Sequence, residues 1–217
     1  MRSLALLTFT AALFTASACV QQAAAKTLPK PKQDVAAKGE TAKAVFAAGC
    51  FWCVEAVFER VDGVKSVVSG YAGDSKENAD YKKVSSGITQ HAEVVEITYD
   101  PKKVTFGQLL RVLFTTHDPT TLNRQGPDRG TQYRSAIFYA DEEQKKVAAA
   151  YIEQINDKYF GGGIVTKLER LAKFFPAEAY HQDFVRLHPD HGYVRMWVPA
   201  KLEKLEKAYP ELLKKGA

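Results

Sequence analysis

Cys50 and Cys53 stand three residues apart in Gly49-Cys50-Phe51-Trp52-Cys53-Val54-Glu55, and the remaining cysteine, Cys19, falls in a stretch that reads as an export signal. Thiol chemistry in the mature protein would therefore rest on this pair. Side chains three apart on a helix bring their Cβ atoms to about 5–6 Å, a separation a disulfide can bridge. Residues 44–48, Ala-Val-Phe-Ala-Ala, predict a short strand ending at Gly49, and Val54, Val57, Phe58 and Val61 continue at helical spacing. Cys50 then sits at a helix start, where free amides and the helix dipole favour a thiolate. It is the expected nucleophile, with Cys53 one turn on as the resolving thiol. Phe51 and Trp52 either belong to the core or wall an apolar pocket sized for a methyl group. A structural disulfide is the bland alternative, but so short a loop constrains the unfolded chain weakly. A zinc site needs two further ligands, and His188-Pro189-Asp190-His191 is the compact candidate.

The elements that must hold this pair follow from periodicity. Val64 to Tyr71 reads as a strand, 70–80 as a polar loop, and 92–99 (Ala-Glu-Val-Val-Glu-Ile-Thr-Tyr) as a strand with Val95 and Ile97 in the core. Thr105 is a plausible N-cap for a helix over 106–116 with Leu109, Leu110, Val112 and Leu113 on one face. A long polar loop over 117–130 leads to a strand at 132–139, a helix from Asp141 to about Asn156, a strand at 164–168, and a helix from Pro176 to about Val185. Strands separated by helices predict an α/β (α+β) two-layer sandwich, a mixed and mainly antiparallel sheet with helices packed on it, ferredoxin-like in outline.

With 217 residues and 46% hydrophobic content, the chain has material for one good core. Arg2, the apolar run Leu4–Phe14 and the small residues Ala16-Ser17-Ala18 form an export signal over 1–25, its apolar run too short to span a membrane. Cleavage after Ala18 would leave Cys19 at the new N-terminus for lipid attachment; cleavage after Ala23-Ala24-Ala25 would discard it. The protein is thus expected in the periplasm or cell envelope. Residues 26–43 read as a flexible basic linker, 44–200 as the catalytic domain, and 201–217 as a charged surface helix or tail. The net charge of +5 concentrates in those flanks: five Lys oppose Asp34 and Glu40 in 26–43, and five Lys oppose three Glu in 201–217. The domain itself is near neutral, which argues against a nucleic-acid partner.

The motif Gly49-Cys50-Phe51-Trp52-Cys53 resembles the signature of A-type peptide methionine sulfoxide reductases, which act on the S epimer. Further blocks resemble the same family in order: Asn78-Ala79-Asp80-Tyr81, His91-Ala92-Glu93-Val94-Val95, His117-Asp118-Pro119-Thr120, Asp128-Arg129-Gly130-Thr131-Gln132-Tyr133-Arg134-Ser135 and Ala179-Tyr180-His181-Gln182. Together they span about residues 44–196.

The resemblance implies that Cys50 attacks the sulfoxide sulfur while Phe51 and Trp52 hold the substrate methyl group. Glu93 matches the family's acid. The sequence adds a reason of its own, since a carboxyl on an apolar strand is desolvated and stays protonated. Tyr81 and Tyr133 would donate to the sulfoxide oxygen, and Asp128 would join the polar network around the substrate. The enzyme would need no metal or bound organic cofactor. It would repair oxidised protein or peptide methionines as a monomer and be recycled by a thioredoxin-like dithiol. Many relatives carry recycling cysteines near the C-terminus, but none follows Cys53 here, which leaves Cys53 to resolve the Cys50 sulfenic acid. Gln90 and Asp74 replace glycines common in the family, so an altered loop is expected there. The rival readings are a dithiol-disulfide oxidoreductase and a module that only binds methionine; neither needs Glu93, Tyr81 and Tyr133 to converge on Cys50.

Overall fold

The computed structural model describes residues 27–216, so the export signal and Cys19 lie outside the described residues. Strand β1 (Ala42–Ala48) ends at Gly49, where a φ of +89° turns the chain into helix α1 (Phe51–Phe58). A side chain does not fit at this turn, because a Cβ on Gly49 would lie 2.5 Å from Gln125 Cβ. Strand β2 (Val64–Ala72), helix α2 (Tyr81–Ser85), strand β3 (Ala92–Tyr99) and helix α3 (Phe106–Thr116) follow. Beyond them come the small hairpin β4 (Arg124–Gln125) and β5 (Asp128–Arg129), strand β6 (Ser135–Tyr139), helix α4 (Glu142–Phe160), and strands β7 (Lys167–Arg170) and β8 (Phe174–Pro176). Helices α5 (Phe184–Leu187), α6 (Gly192–Trp197) and α7 (Pro199–Ala208) end the regular structure.

Six strands form one sheet in the order β7-β6-β1-β3-β2-β8, antiparallel throughout except between β6 and β7. The fold is therefore a mixed α/β one. Alternation along each strand sends Phe46, Val95, Ile97 and Ile137 into a main core shared with Phe58, Leu110, Tyr151 and Leu205 of α1, α3, α4 and α7. The opposite face carries Val45, Ala47, Val94, Ala136 and Phe138 in a smaller cluster. Glu93 lies two residues from Val95, which puts a carboxyl on the helix-covered face. Helix α3 starts in a capping box: Thr105 Oγ1 accepts from the Gln108 N–H at 3.2 Å, and Gln108 Oε1 accepts from the Thr105 N–H at 2.8 Å.

Several elements differ from their sequence expectation. Residues 27–41 have no helix or strand, yet they do not hang free as a linker. Leu28 is 1% exposed, its N–H donates to Tyr209 Oη at 3.0 Å, and its carbonyl accepts from Arg111 Nη2 at 3.0 Å. Asp34 accepts from the Gly107 N–H at 2.8 Å, placing a carboxylate at the positive end of α3. Composition concealed this because a strap needs only a few anchor residues. Helix α7 is likewise part of the domain, since Leu205, Ala208, Tyr209 and Leu212 are buried. The domain thus runs past residue 200. The continuous helix expected from Pro176 to Val185 is broken: Gln182 Nε2 clamps the Ser69 and Ala177 carbonyls at 2.9 and 3.0 Å, and Asp183 takes a left-handed φ of 55° before α5. The β4–β5 hairpin falls inside the 117–130 stretch whose polarity predicts a loop, and helix α2 begins directly after the 70–80 loop.

Asp74 and Gln90, the two departures from glycine, prove to be partners. Asp74 carboxylate accepts from the Gln90 N–H at 2.8 Å and from the Ser75 N–H at 2.7 Å, tying the turn after β2 to the approach to β3. These amides, Gln90's first, hold the Asp74 carboxyl down to about 2.

Candidate active site

Helix α1 and strand β3 meet at one point. Cys50 is the N-cap residue of α1, and the next amide, Phe51 N–H, donates to Glu93 Oε2 at 3.0 Å. Glu93 is 2% exposed, and burial pushes its carboxyl up to about 8, against the pull of the Phe51 hydrogen bond. At neutral pH it carries its proton. An amide expected to support a Cys50 thiolate is therefore engaged by Glu93 instead. Burial, a hydrogen bond given to Cys53, and the Glu93 charge push the Cys50 thiol up. Cys53 is lowered, first by that hydrogen bond from Cys50 and then, against its own burial, by the Lys201 cation and the Tyr193 hydroxyl. Neither cysteine is in a disulfide. Burial thus offsets what the helix start offers the Cys50 thiol, while the contact between the two sulfurs lowers Cys53.

The aromatic residues divide in two. Phe51 is buried between Tyr71, His181 and Tyr81, with ring centroids at 6.0, 5.0 and 6.5 Å. Trp52 is half-buried and held on three sides: its Nε1 donates to His181 Nδ1 at 3.0 Å, its ring stacks on Phe184 at 3.8 Å, and the Tyr193 ring stands edge-on at 6.0 Å. Burial lowers the His181 pKa, so the imidazole is neutral and can accept. Tyr81 opens α2, where its N–H donates to Glu178 Oε1 at 3.0 Å, and the other Glu178 oxygen accepts from Tyr71 Oη at 2.8 Å.

Tyr81, Tyr133 and Asp128 gather around the same centre. Burial raises Tyr81 to about 12, with added contributions from the charges of Glu93 and Cys50; Tyr133 is raised by burial and by Glu93 and Asp128. Each phenol therefore keeps its proton and remains a donor. Asp128 Oδ2 accepts from the Tyr193 hydroxyl at 2.5 Å. All eight residues singled out in the sequence thus surround one centre. Tyr193, His181, Phe184, Glu178 and Lys201 were not singled out. His181 stood in a motif block without a role, whereas Tyr193 and Lys201 carried no sequence signal, because only the path of α6 and α7 brings them to the cysteines. Among the described residues, no group of three or more His, Cys, Asp or Glu is placed to hold a metal ion.

A family model described as peptide methionine sulfoxide reductase matches residues 42–213. The chain belongs to this family. It is 49% identical over 195 residues to peptide methionine sulfoxide reductase MsrA 2 of Synechocystis, across 87% of this chain and 91% of that protein. Among solved structures, methionine sulfoxide reductase A of Corynebacterium diphtheriae is 35% identical with a TM-score of 0.66, covering 70% of this chain and 77% of that one. Reduced Mxr1 of Saccharomyces cerevisiae is 34% identical with a TM-score of 0.65, covering 73% and 92%. The reaction is thiol-dependent reduction of methionine sulfoxide in peptides, and the thiols available to it in the described residues are Cys50 and Cys53.

Proposed function

We propose that the protein reduces the S epimer of methionine sulfoxide, in proteins and as the free amino acid, with Cys50 as nucleophile and Glu93 as acid. The observation that carries this assignment is the buried, protonated Glu93 carboxyl anchored to the first amide of the helix that Cys50 caps. Sulfoxide oxygen leaves sulfur poorly unless it gains a proton. Glu93 supplies one as the Cys50 sulfur attacks, and Cys50 gives its own proton to Cys53, held as the thiolate. Oxygen transfers to Cys50, the sulfoxide sulfur is reduced, and methionine departs, leaving Cys50 as a sulfenic acid. Tyr81 and Tyr133 donate to the oxygen; neither hydroxyl is taken by an acceptor among the described residues. Trp52, with Phe51 behind it, receives the methyl group, and Asp128 orders the polar side through Tyr193.

Cys53 then attacks the Cys50 sulfur, water leaves, and an external dithiol of the thioredoxin type reduces the disulfide. No metal or bound organic cofactor takes part. The decisive assay gives the purified protein each sulfoxide epimer with dithiothreitol; methionine should form from the S epimer only, and its absence there ends the assignment.

Three finer readings belong to the same proposal. The strand order β6-β1-β3-β2, with α1 and α3 as crossovers, supports a ferredoxin-like two-layer sandwich. Arg2, Leu4–Phe14 and Ala16-Ser17-Ala18 support export to the periplasm or cell envelope, as a soluble monomer or anchored by lipid on Cys19. Intact mass of the mature N-terminus distinguishes cleavage after Ala25 from a lipidated Cys19, and sedimentation tests the monomer.

A further inference from the structure

The cysteines are open on a second side. A cavity of about 160 Å³ is lined by Cys50, Cys53, Asp128, Tyr193, Lys201 and Lys204, whereas Phe51, Trp52, Glu93, Tyr81 and Tyr133 do not line it. Cys53 is 1% exposed and packs against Cys50, Ala56, Val194 and Val198 beside this cavity. Lys201 reaches this wall from α7 and is half-buried there, with its Nζ donating to the Thr116 carbonyl at 3.4 Å. None of the ion pairs among the described residues includes Lys201. Of the two carboxylates in the cavity, Asp128 is engaged by the Tyr193 hydroxyl and Asp118 by the Thr120 amide and hydroxyl. Burial lowers the Lys201 pKa and the charge of Cys53 raises it, so its ammonium and an anion formed beside it favour one another.

We infer that Lys201 is a positioning residue for the second half of the cycle, holding Cys53 as the thiolate that closes the disulfide. This rests on the functional assignment above. The closing step balances as follows: Cys53 sulfur attacks Cys50 sulfur, an S–S bond forms and the S–O bond breaks. The departing hydroxide takes up the proton Cys53 lost on ionising and leaves as water. In the resting site Cys53 is supported chiefly by the S–H of Cys50, and that donor is lost once Cys50 carries oxygen. The charge that persists is that of Lys201, which lowers Cys53; the Tyr193 hydroxyl commits its one proton to Asp128 and acts on Cys53 only as a neighbouring dipole.

Other groups near Cys53 do not replace it. Asp128 and Glu93 act against a thiolate, Glu93 only when ionised. His117 lines the same cavity but is neutral, burial having pushed it down to about 4, and its ring nitrogens are engaged by the Leu113 carbonyl and Ser135 Oγ. Asp118 is anionic, and Lys204 adds a second cation at the rim.

The test titrates Cys53 by its ultraviolet thiolate absorbance in a Cys50→Ser chain carrying Lys201, Lys201→Met or Lys201→Arg. It requires no turnover, so its failure is separable from failure of the reductase assignment. Lys201→Met should raise the midpoint by about one unit, roughly tenfold less thiolate below it, while Lys201→Arg restores the parent value. In chains with both cysteines and one equivalent of S-sulfoxide, Lys201→Met should close the disulfide about threefold more slowly at neutral pH. The loss is less than tenfold because a more basic thiolate is also more nucleophilic. At high pH the variant should overtake the parent. An unmoved midpoint in Lys201→Met, or a shift that Lys201→Arg shares, would overturn the inference.

Discussion

Glu93→Gln separates catalysis from stability, because the structure predicts opposite effects on the two. Glutamine preserves the oxygen that accepts the Phe51 N–H at 3.0 Å, so helix α1 keeps its anchor. The parent carboxyl titrates at about 8 in the fold and near 4.3 in an unfolded chain. Between those values the folded state holds a proton that the unfolded state has released. Stability therefore falls as pH rises through this window, by about 1.4 kcal/mol per unit and on the order of 5 kcal/mol by pH 8. The variant removes the titrating group and should show no such decline. Urea unfolding at pH 4.5 and pH 8 measures this: the two proteins should match in acid, with the variant more stable at pH 8. The reductase step, followed as methionine released in a single turnover, should fall by about 10²–10⁴-fold, the usual worth of a positioned acid. Its pH profile should change form as well. In the parent, the gain in Cys50 thiolate with rising pH is cancelled above about 8 by loss of the Glu93 proton, so the rate levels there; in the variant it keeps climbing. A parent-like rate in Glu93→Gln, or lower stability at pH 8, would falsify the role assigned to this carboxyl.

Three further substitutions test other parts of the argument. Cys53→Ser should release one methionine per enzyme, accumulate a Cys50 sulfenic acid trappable by dimedone, and fail to turn over with thioredoxin; sustained turnover removes Cys53 from the cycle. Gly49→Ala forces a side chain into a φ of +89° against Gln125, so it should cost about 1–3 kcal/mol and slow the reductase step by shifting Cys50; an unchanged melting temperature contradicts the close approach. Leu28→Ala should cost roughly 2–4 kcal/mol and lower the melting temperature by about 5–10 °C, because the residue is fully enclosed. Melting at the parent temperature would mean that the N-terminal strap is not docked in solution.

Legibility followed the range of the forces involved. The strand ending at Gly49, helix α1 and the Thr105 cap rest on contacts within a few residues, so spacing and residue type suffice to place them. Glu93 was legible because its strand neighbours already imply a dry environment, and burial is the main cause of its raised pKa. The docking of residues 27–41 is not legible in the sequence, because their composition is that of a linker while their anchoring depends on Arg111, Tyr151, Gln154 and Tyr209, which are distant in the chain. The break before α5 depends on Gln182 reaching Ser69, which no local pattern signals.

The cysteine pair shows the same division. Two thiols at i and i+3 on a helix start, with two aromatics between them, establish from sequence alone that the chain can form a disulfide beside an apolar surface. Which thiol holds the proton is a matter of three-dimensional surroundings. The amide at the start of α1 bonds Glu93, Cys50 gives its hydrogen to Cys53, and α6 and α7 bring a hydroxyl and an ammonium from more than a hundred residues away. Charge in a buried site is fixed by whatever lies within a few ångströms, and only the folded chain determines what that is.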